Sequence, residues 1–413
     1  TQRTEEELKV LGGARGAATQ QAVEFHKLGA KLKKLHEALD GVDHAPTEYV
    51  LKNKCADVCK ATYALRLNGD RISQHALSFY EGTIQASLET TLGGELGKDA
   101  WRQATCDQKH GGLGFRTPKD VSLPAFVASR TVSRPGAREL FARMEAAGLT
   151  QEGELTKAYD ERTEAATQRL LQKTGQDLAT RDHIKAVLKS AAQAAEALWE
   201  NPEEQGRRTP AGEALDGGGE EEEEEDLAIP SAKAVQSLLS KALDRIRLKK
   251  MKQEWTSQGR HEDVTRLVEL QDKHQDHTWL EHLNPATGQV MAPHEWITAT
   301  RLRVGANFAP VERVCRACGE AVLDQQGYHA LCCAQGDSTR GHYLFRDAML
   351  AAFSMADPAT EKETEGLIPS APTLRPADIL PQAAHPMPPS PSLLSSRLRA
   401  HEPFLVRRAH VHV

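Results

Sequence analysis

The sequence predicts a mainly α protein with a small metal-binding knuckle, a disordered acidic linker and a disordered tail. Three observations carry this. Leucines recur at helical spacing near the start of the chain, an acidic run interrupts it at 220–226, and four cysteines and a histidine crowd into "VCRACGEAVLDQQGYHALCC", residues 314–333. The 413 residues are polar on average, with a mean hydropathy of -0.53 and 5% aromatics, which suits several modest domains better than one large core. The chain starts at Thr1, as expected of a fragment of something longer.

In "AVEFHKLGAKLKKLHEALD", Leu28, Leu32, Leu35 and Leu39 fall on one helical face. In "LKNKCADVCKATYALRL", Cys55 and Cys59 are expected as two buried thiols on one side of a helix, because no second ligand pair lies nearby. The stretch "WRQATCDQKHGGLGFRTPKD" ends the Trp101 helix at Gly111, Gly112 and Gly114. Pro118 is expected to delay the next helix, and Leu113 and Phe115 to pin the connection. It is not a phosphate loop, for it lacks the preceding strand and the Gly-Lys-Ser/Thr ending.

Residues 1–135 thus read as one helical region and 136–200 as a second helical segment that reaches Trp199 near its end. Residues 201–230 form the linker, where "GGG" and six consecutive glutamates cannot bury apolar area. Setting aside the seven acids at 220–226 turns the formal charge of -6 into about +1, so the remainder is close to neutral. Residues 231–310 form a further helical domain. Ser231 is its N-cap, and Val235, Leu238, Leu239, Leu243 and Ile246 form its stripe. Arg245, Arg247, Lys249, Lys250 and Lys252 either complement a helix C-terminus or contact phosphates. "HTWLEHLNPATGQVMAPHEWITATRLRVGANF" reads as helix, turn, helix, packed through Trp279, Leu280, Leu283, Trp296 and Leu302, with Arg301 and Arg303 leading into the cysteine cluster.

Residues 311–350 carry the knuckle and a following helix. Cys315 and Cys318 have the spacing of a tight metal-binding turn, with Gly319 free to adopt positive φ, and His329 and Cys333 form the second pair of C-x2-C-x10-H-x3-C. Cys332 is an alternate for Cys333, and His342 is a substitute ligand within reach. Four such donors close a tetrahedron around Zn²⁺ and leave no position for water, so the expected role is structural. A redox reading of the C-x-x-C lacks the strand-to-helix turn it needs. Further on, Arg340, His342, Arg346 and Asp347 lie on a helix, and Asp378, with Glu363 or Glu365 as helper, could hold Mg²⁺ for phosphodiester hydrolysis. No run of eighteen apolar residues and no secretory leader pattern is present, so the expected location is intracellular, nuclear or cytoplasmic, without a membrane partner.

The order of these parts, "GGLGFR", the helix after Pro230, the tryptophan segment, "CRACG", "D-x-x-G-Y-H-A-L-C-C", "R-G-H-x-x-x-R-D" and "RPADIL", resembles the portion downstream of the polymerase palm in retroelement reverse-transcriptase proteins. Some of these carry a zinc knuckle before a restriction-endonuclease-like domain. The likeness covers most of residues 8–380 and is sharpest at the cysteine cluster. It implies that Cys315, Cys318, His329 and Cys333 are knuckle ligands. Arg340 and His342 then match the helix before the nuclease, and Pro376 with Asp378 the proline–aspartate element of its site.

Two departures limit the resemblance. No Tyr-x-Asp-Asp sequence is present, and no Asp/Glu-x-Lys follows Leu380, where a proline-rich tail begins. Residues 351–380 are therefore expected as an incomplete α/β nuclease-like segment and 381–413 as a disordered tail. The expected function is that of a non-catalytic fragment of a retrotransposon reverse-transcriptase-like protein with structural zinc. It would bind RNA or DNA weakly and non-specifically through Arg245, Arg247, Lys249, Lys250, Lys252, Arg301, Arg303 and Arg340. The alternatives are a Mg²⁺-dependent restriction-like endonuclease and a zinc-stabilised protein-interaction scaffold.

Overall fold

The structure, a computed structural model, describes residues 9–10, 13–14, 18–200, 231–272, 277–283, 291–308, 312–316, 318–329, 333, 343, 346–347, 349–351, 353–354, 360–362 and 379–380. The predicted linker 201–230 and tail 381–413 lie outside the described residues. The chain divides into two compact units, Thr1–Pro310 and Val311–Val413, and the described residues are mostly helical.

The first unit opens with a two-residue antiparallel pair, β1 (Lys9–Val10) and β2 (Gly13–Ala14), followed by α1 (Ala18–Leu39). The buried face of α1 is Gln21, Phe25, Leu32 and His36, with Leu28 and Leu39 half-buried against the same core; of the predicted leucine stripe only Leu35, 37% exposed, faces out. The phase follows the larger anchors. Phe25 packs on Tyr80 with ring centroids 5.4 Å apart, and the His36 ring meets the Ala56 carbonyl at 2.5 Å.

Next, α2 (Ala45–Cys55) starts at a His44 cap and stops at Cys55. Cys55 and Cys59 are both exposed and lie on separate elements, which corrects the expected buried pair. Asp57 explains the break: its carboxylate accepts from the Cys59 N–H at 2.8 Å and caps a 3-10 turn at Val58–Lys60, a local alternative to continuing the helix.

Three more helices, α3 (Thr62–Asn68), α4 (Gln74–Thr91) and α5 (Lys98–Ala104), complete the first core around Tyr49, Leu65, Leu77, Tyr80, Ile84 and Leu88. Inside it lies the ammonium of Lys52. It binds Asp40 Oδ1 at 2.5 Å, Glu48 Oε2 at 3.1 Å and Thr91 Oγ1 at 2.6 Å.

A 3-10 turn at Gln108–His110 separates α5 from the glycines. Gly111 ends that turn at φ +86, and a Cβ on Gly112 would stand 2.1 Å from the Cys106 carbonyl oxygen. Leu113 and Phe115 are buried, as expected of residues pinning this connection. Pro118 does not delay the next helix; it is the first residue of α6 (Pro118–Ala146), capped by Thr117 Oγ1 accepting from the Asp120 N–H at 3.2 Å. A proline costs little there because that N–H has no intrahelical partner.

α6 crosses the expected 135/136 boundary without a break and is shared by two cores. Leu123, Phe126 and Val127 meet α7 (Glu154–Gln172), α8 (Leu178–Glu200) and α9 (Ala232–Ser257) through Ala166, Leu170, Ile184, Leu239 and Ile246. The helical segments expected as separate domains thus lie in one compact unit, because the long helix carries apolar residues for both sides. Ser231 caps α9, its Oγ accepting from the Ala234 N–H at 3.0 Å; of the predicted stripe only Leu238 faces out. Trp255 and Met251 of α9 form a third cluster with Cys106 and with Leu267 of α10 (His261–Glu269). Finally Leu280, in a 3-10 turn, and Trp296 and Val304 of α11 (Pro293–Val304) return to the first core.

The second unit holds a short antiparallel hairpin, β3 (Arg313–Val314) with β4 (Val322–Leu323), and helical backbone at 343, 346–347, 349–351 and 353–354. It also holds a backbone pairing of β5 (Glu361–Lys362) with β6 (Ile379–Leu380). No helix among the described residues is long and apolar enough to cross a membrane.

Candidate metal centre and the basic residues

The knuckle is built by backbone hydrogen bonds before any metal is considered. The Cys315 N–H donates to the Ala321 carbonyl at 2.8 Å, closing the hairpin just beyond β3. The Gly319 N–H returns to the Cys315 carbonyl at 2.8 Å, and Gly319 takes φ +73, which turns the chain so that Cys315 and Cys318 face one point. On the other side, Asp324 acts as a clamp. Its two carboxylate oxygens accept from the N–H groups of Tyr328 at 3.0 Å and His329 at 2.8 Å, which begins a helical turn carrying the histidine. Burial works against its charge, but these donors hold Asp324 below the usual carboxylate range.

The donor atoms of Cys315, Cys318, His329 and Cys333 all lie within 4.8 Å of one another. Cys315 and Cys333 Sγ are 3.8 Å apart, and Cys318 Sγ is 3.5 Å from His329 Nε2. A tetrahedral Zn²⁺ with Zn–S of about 2.3 Å and Zn–N of about 2.0 Å requires S···S and S···N edges of about 3.8 and 3.5 Å. The residues therefore fit the ion. Cys315 and Cys333 are buried, whereas Cys318 and His329 are partly open. Backbone N–H groups of Ala321 and then Glu320 push the Cys318 thiol down to about 6, toward the thiolate a metal needs. Hydrogen bonds from the protonated His329 ring to the Cys315 and Cys318 sulfurs raise the histidine. The cluster could hold a metal ion such as zinc, with the histidine bound through Nε2. The alternates Cys332 and His342 lie outside the described residues, as do Arg340, Asp378, Glu363 and Glu365.

The described basic residues divide sharply. Arg301 is 8% and Arg303 5% exposed, so neither presents a guanidinium to a phosphate. Arg301 donates to the carbonyls of Leu92, Gly94, Glu95 and Asn307, and Arg303 to those of Gly112 and Gln108. They are internal braces rather than a nucleic-acid surface, and burial pushes Arg303 down to about 10. Arg247 is likewise engaged, with Asp120 at 2.5 Å and Thr105 Oγ1 at 2.9 Å; burial opposes its charge but Asp120 holds it up. Lys252 is half-buried against Gln271. Arg245, Lys249 and Lys250 point outward from α9, Lys249 pairing with Asp177 at 3.1 Å. Arg346 stacks over Tyr343 and pairs with Asp347 at 2.7 Å.

The sequence reading missed Asp324 as a positioning residue. Its signal was present, an Asp followed by "QQG" and then the histidine, the pattern of an Asp-capped turn. No family model, curated protein or solved structure matches the chain.

Proposed function

We propose that the chain is a non-catalytic, zinc-organised part of a retroelement reverse-transcriptase-like protein that binds RNA or DNA weakly through phosphate contacts. The observation that carries the metal half of this reading is the convergence of Cys315, Cys318, His329 and Cys333 at tetrahedral separations. Three cysteines and a histidine leave no coordination position open, so the ion is structural. It is Zn²⁺ rather than Mg²⁺, since thiolate and imidazole suit the former and carboxylate oxygens the latter. The nucleic-acid half is supported by the resemblance of motif order and by outward-facing Arg245, Lys249 and Lys250.

The test is a titration of fluorescent single-stranded oligonucleotide with the zinc-loaded protein at 50 and 200 mM salt. Micromolar or weaker binding that falls steeply with salt and varies little with base sequence is expected. Complete absence of binding at the lower salt would favour a protein-interaction scaffold. Incubation with plasmid and Mg²⁺ is expected to give no nicking; cleavage abolished by Asp378→Ala would replace this reading with the endonuclease.

A further inference from the structure

A cleft of about 320 Å³ opens on the first unit where the first turns of α4 and α6 meet the last turn of α7. Ile72 and Leu123 also line it, but both are buried and leave little apolar surface open. Its rim carries Lys119, Arg169 and Lys173, with the side-chain amides of Gln74 and Gln172. Among the described residues no carboxylate lines it.

The charges are unevenly neutralised. Lys119 pairs with Glu81 at 2.7 Å. Arg169 and Lys173 instead donate to backbone carbonyls, Arg169 to Asp70 O at 2.7 Å and Lys173 to Lys119 O at 3.0 Å. Those bonds orient the two cations without cancelling their charge. The acids adjacent in sequence are engaged elsewhere: Asp70 holds Arg162 in a bidentate pair, and Asp120 holds Arg247. The α4 and α6 N-termini, from helices of 18 and 29 residues, add positive dipole ends on the same side.

We propose that this cleft binds a nucleotide. The phosphate sits on Arg169 and Lys173, with Gln74 and Gln172 beside them for the polar edge of the base. Two cations held by backbone carbonyls rather than by carboxylates match a small ligand that carries an anion, and the volume lies within the range of small-ligand pockets. The nucleotide could be free or one residue of a strand; the second source rests on the nucleic-acid reading above.

The experiment measures binding of AMP by calorimetry and of labelled single-stranded dT12 by anisotropy, with wild type, Arg169→Gln/Lys173→Gln and Gln172→Glu. All three substituted side chains are exposed, so the variants are expected to fold. AMP affinity falls about tenfold or more in both variants, in line with the loss of charge-assisted bonds. If the strand uses the cleft, the double variant also lowers the salt slope for dT12 by about 1.4. AMP binding without dT12 binding supports the cleft and overturns the nucleic-acid reading. Binding of dT12 unchanged in both variants, with no AMP binding, overturns the cleft and leaves that reading standing. Absence of binding to either probe overturns both.

Discussion

A buried guanidinium with no carboxylate bonded to it is tolerated where backbone carbonyls surround it, and Arg301 shows the arrangement. Its three nitrogens reach four carbonyl oxygens, three of them in the turn after α4. Replacing it with alanine strips those acceptors of their partner, at an expected cost of about 2–4 kcal/mol. Urea denaturation of Arg301→Ala measures this, and a loss under 0.5 kcal/mol, about the effect of a neutral surface change, would show that water satisfies the carbonyls instead. Nothing in "RLRVG" distinguishes this buried arginine from a phosphate-binding one, because three of the four carbonyls it meets lie some two hundred residues away in sequence. Lys52 was hidden for the same reason: Thr91 and Ser87, two of its partners, are remote from it in sequence. Asp57 offers a pH-dependent test. Burial raises its carboxyl to about 6 although the Cys59 N–H pulls it down. A folded value above the unfolded one means that the native state binds the extra proton between about pH 4 and 6, so this group's contribution to stability falls as pH rises through that window. Asp57→Asn keeps the amide oxygen that accepts from Cys59 and removes the charge. Its stability relative to wild type is therefore expected to improve from pH 4 to 7, by up to about 3 kcal/mol. A pH-independent difference would show that Asp57 titrates normally.

Elements were legible where a local signal decided them. Ser231 announced α9 because an N-cap hydroxyl satisfies an amide three residues on, whatever the helix packs against. Removing it in Ser231→Ala is expected to cost about 1 kcal/mol, read from thermal or urea unfolding. The four-donor knuckle was equally legible, since its ligands and its Gly319 turn lie within nineteen residues, 315–333. The leucine stripe of α1 was legible except at Leu35, but the weight of Phe25 was not, because its partner Tyr80 lies on α4. The thiols of Cys55 and Cys59 were misplaced because their spacing fits a helix, while Asp57 between them bends the backbone away. At Gly112 the sequence showed a glycine-rich turn but not the reason for it. The strand of backbone at Cys106 passes so close that alanine has no room, and Gly112→Ala is expected to destabilise by about 3 kcal/mol or more. A near-neutral result in the same unfolding assay would mean the turn opens freely.

The molecule as a whole consists of two compact units with different sources of stability. The first, Thr1–Pro310, rests on three apolar clusters linked by α6 and α9. In the second, the described knuckle buries little besides Cys315 and Cys333, while Val314 and Val322 face outward. A hairpin of two residue pairs is marginal by itself in water, so on the proposed reading a metal at the cluster would supply what the core lacks. Chelation should therefore abolish protection of the 312–329 amides in hydrogen exchange while leaving those of α4, α6 and α9 unchanged. The most direct measurement of the central claim is metal content per chain, by mass spectrometry of purified wild type and Cys318→Ser. About one zinc per wild-type chain, lost in the variant, is the expected result. A wild-type chain that folds with no bound zinc, or a variant that keeps its full complement, would contradict it.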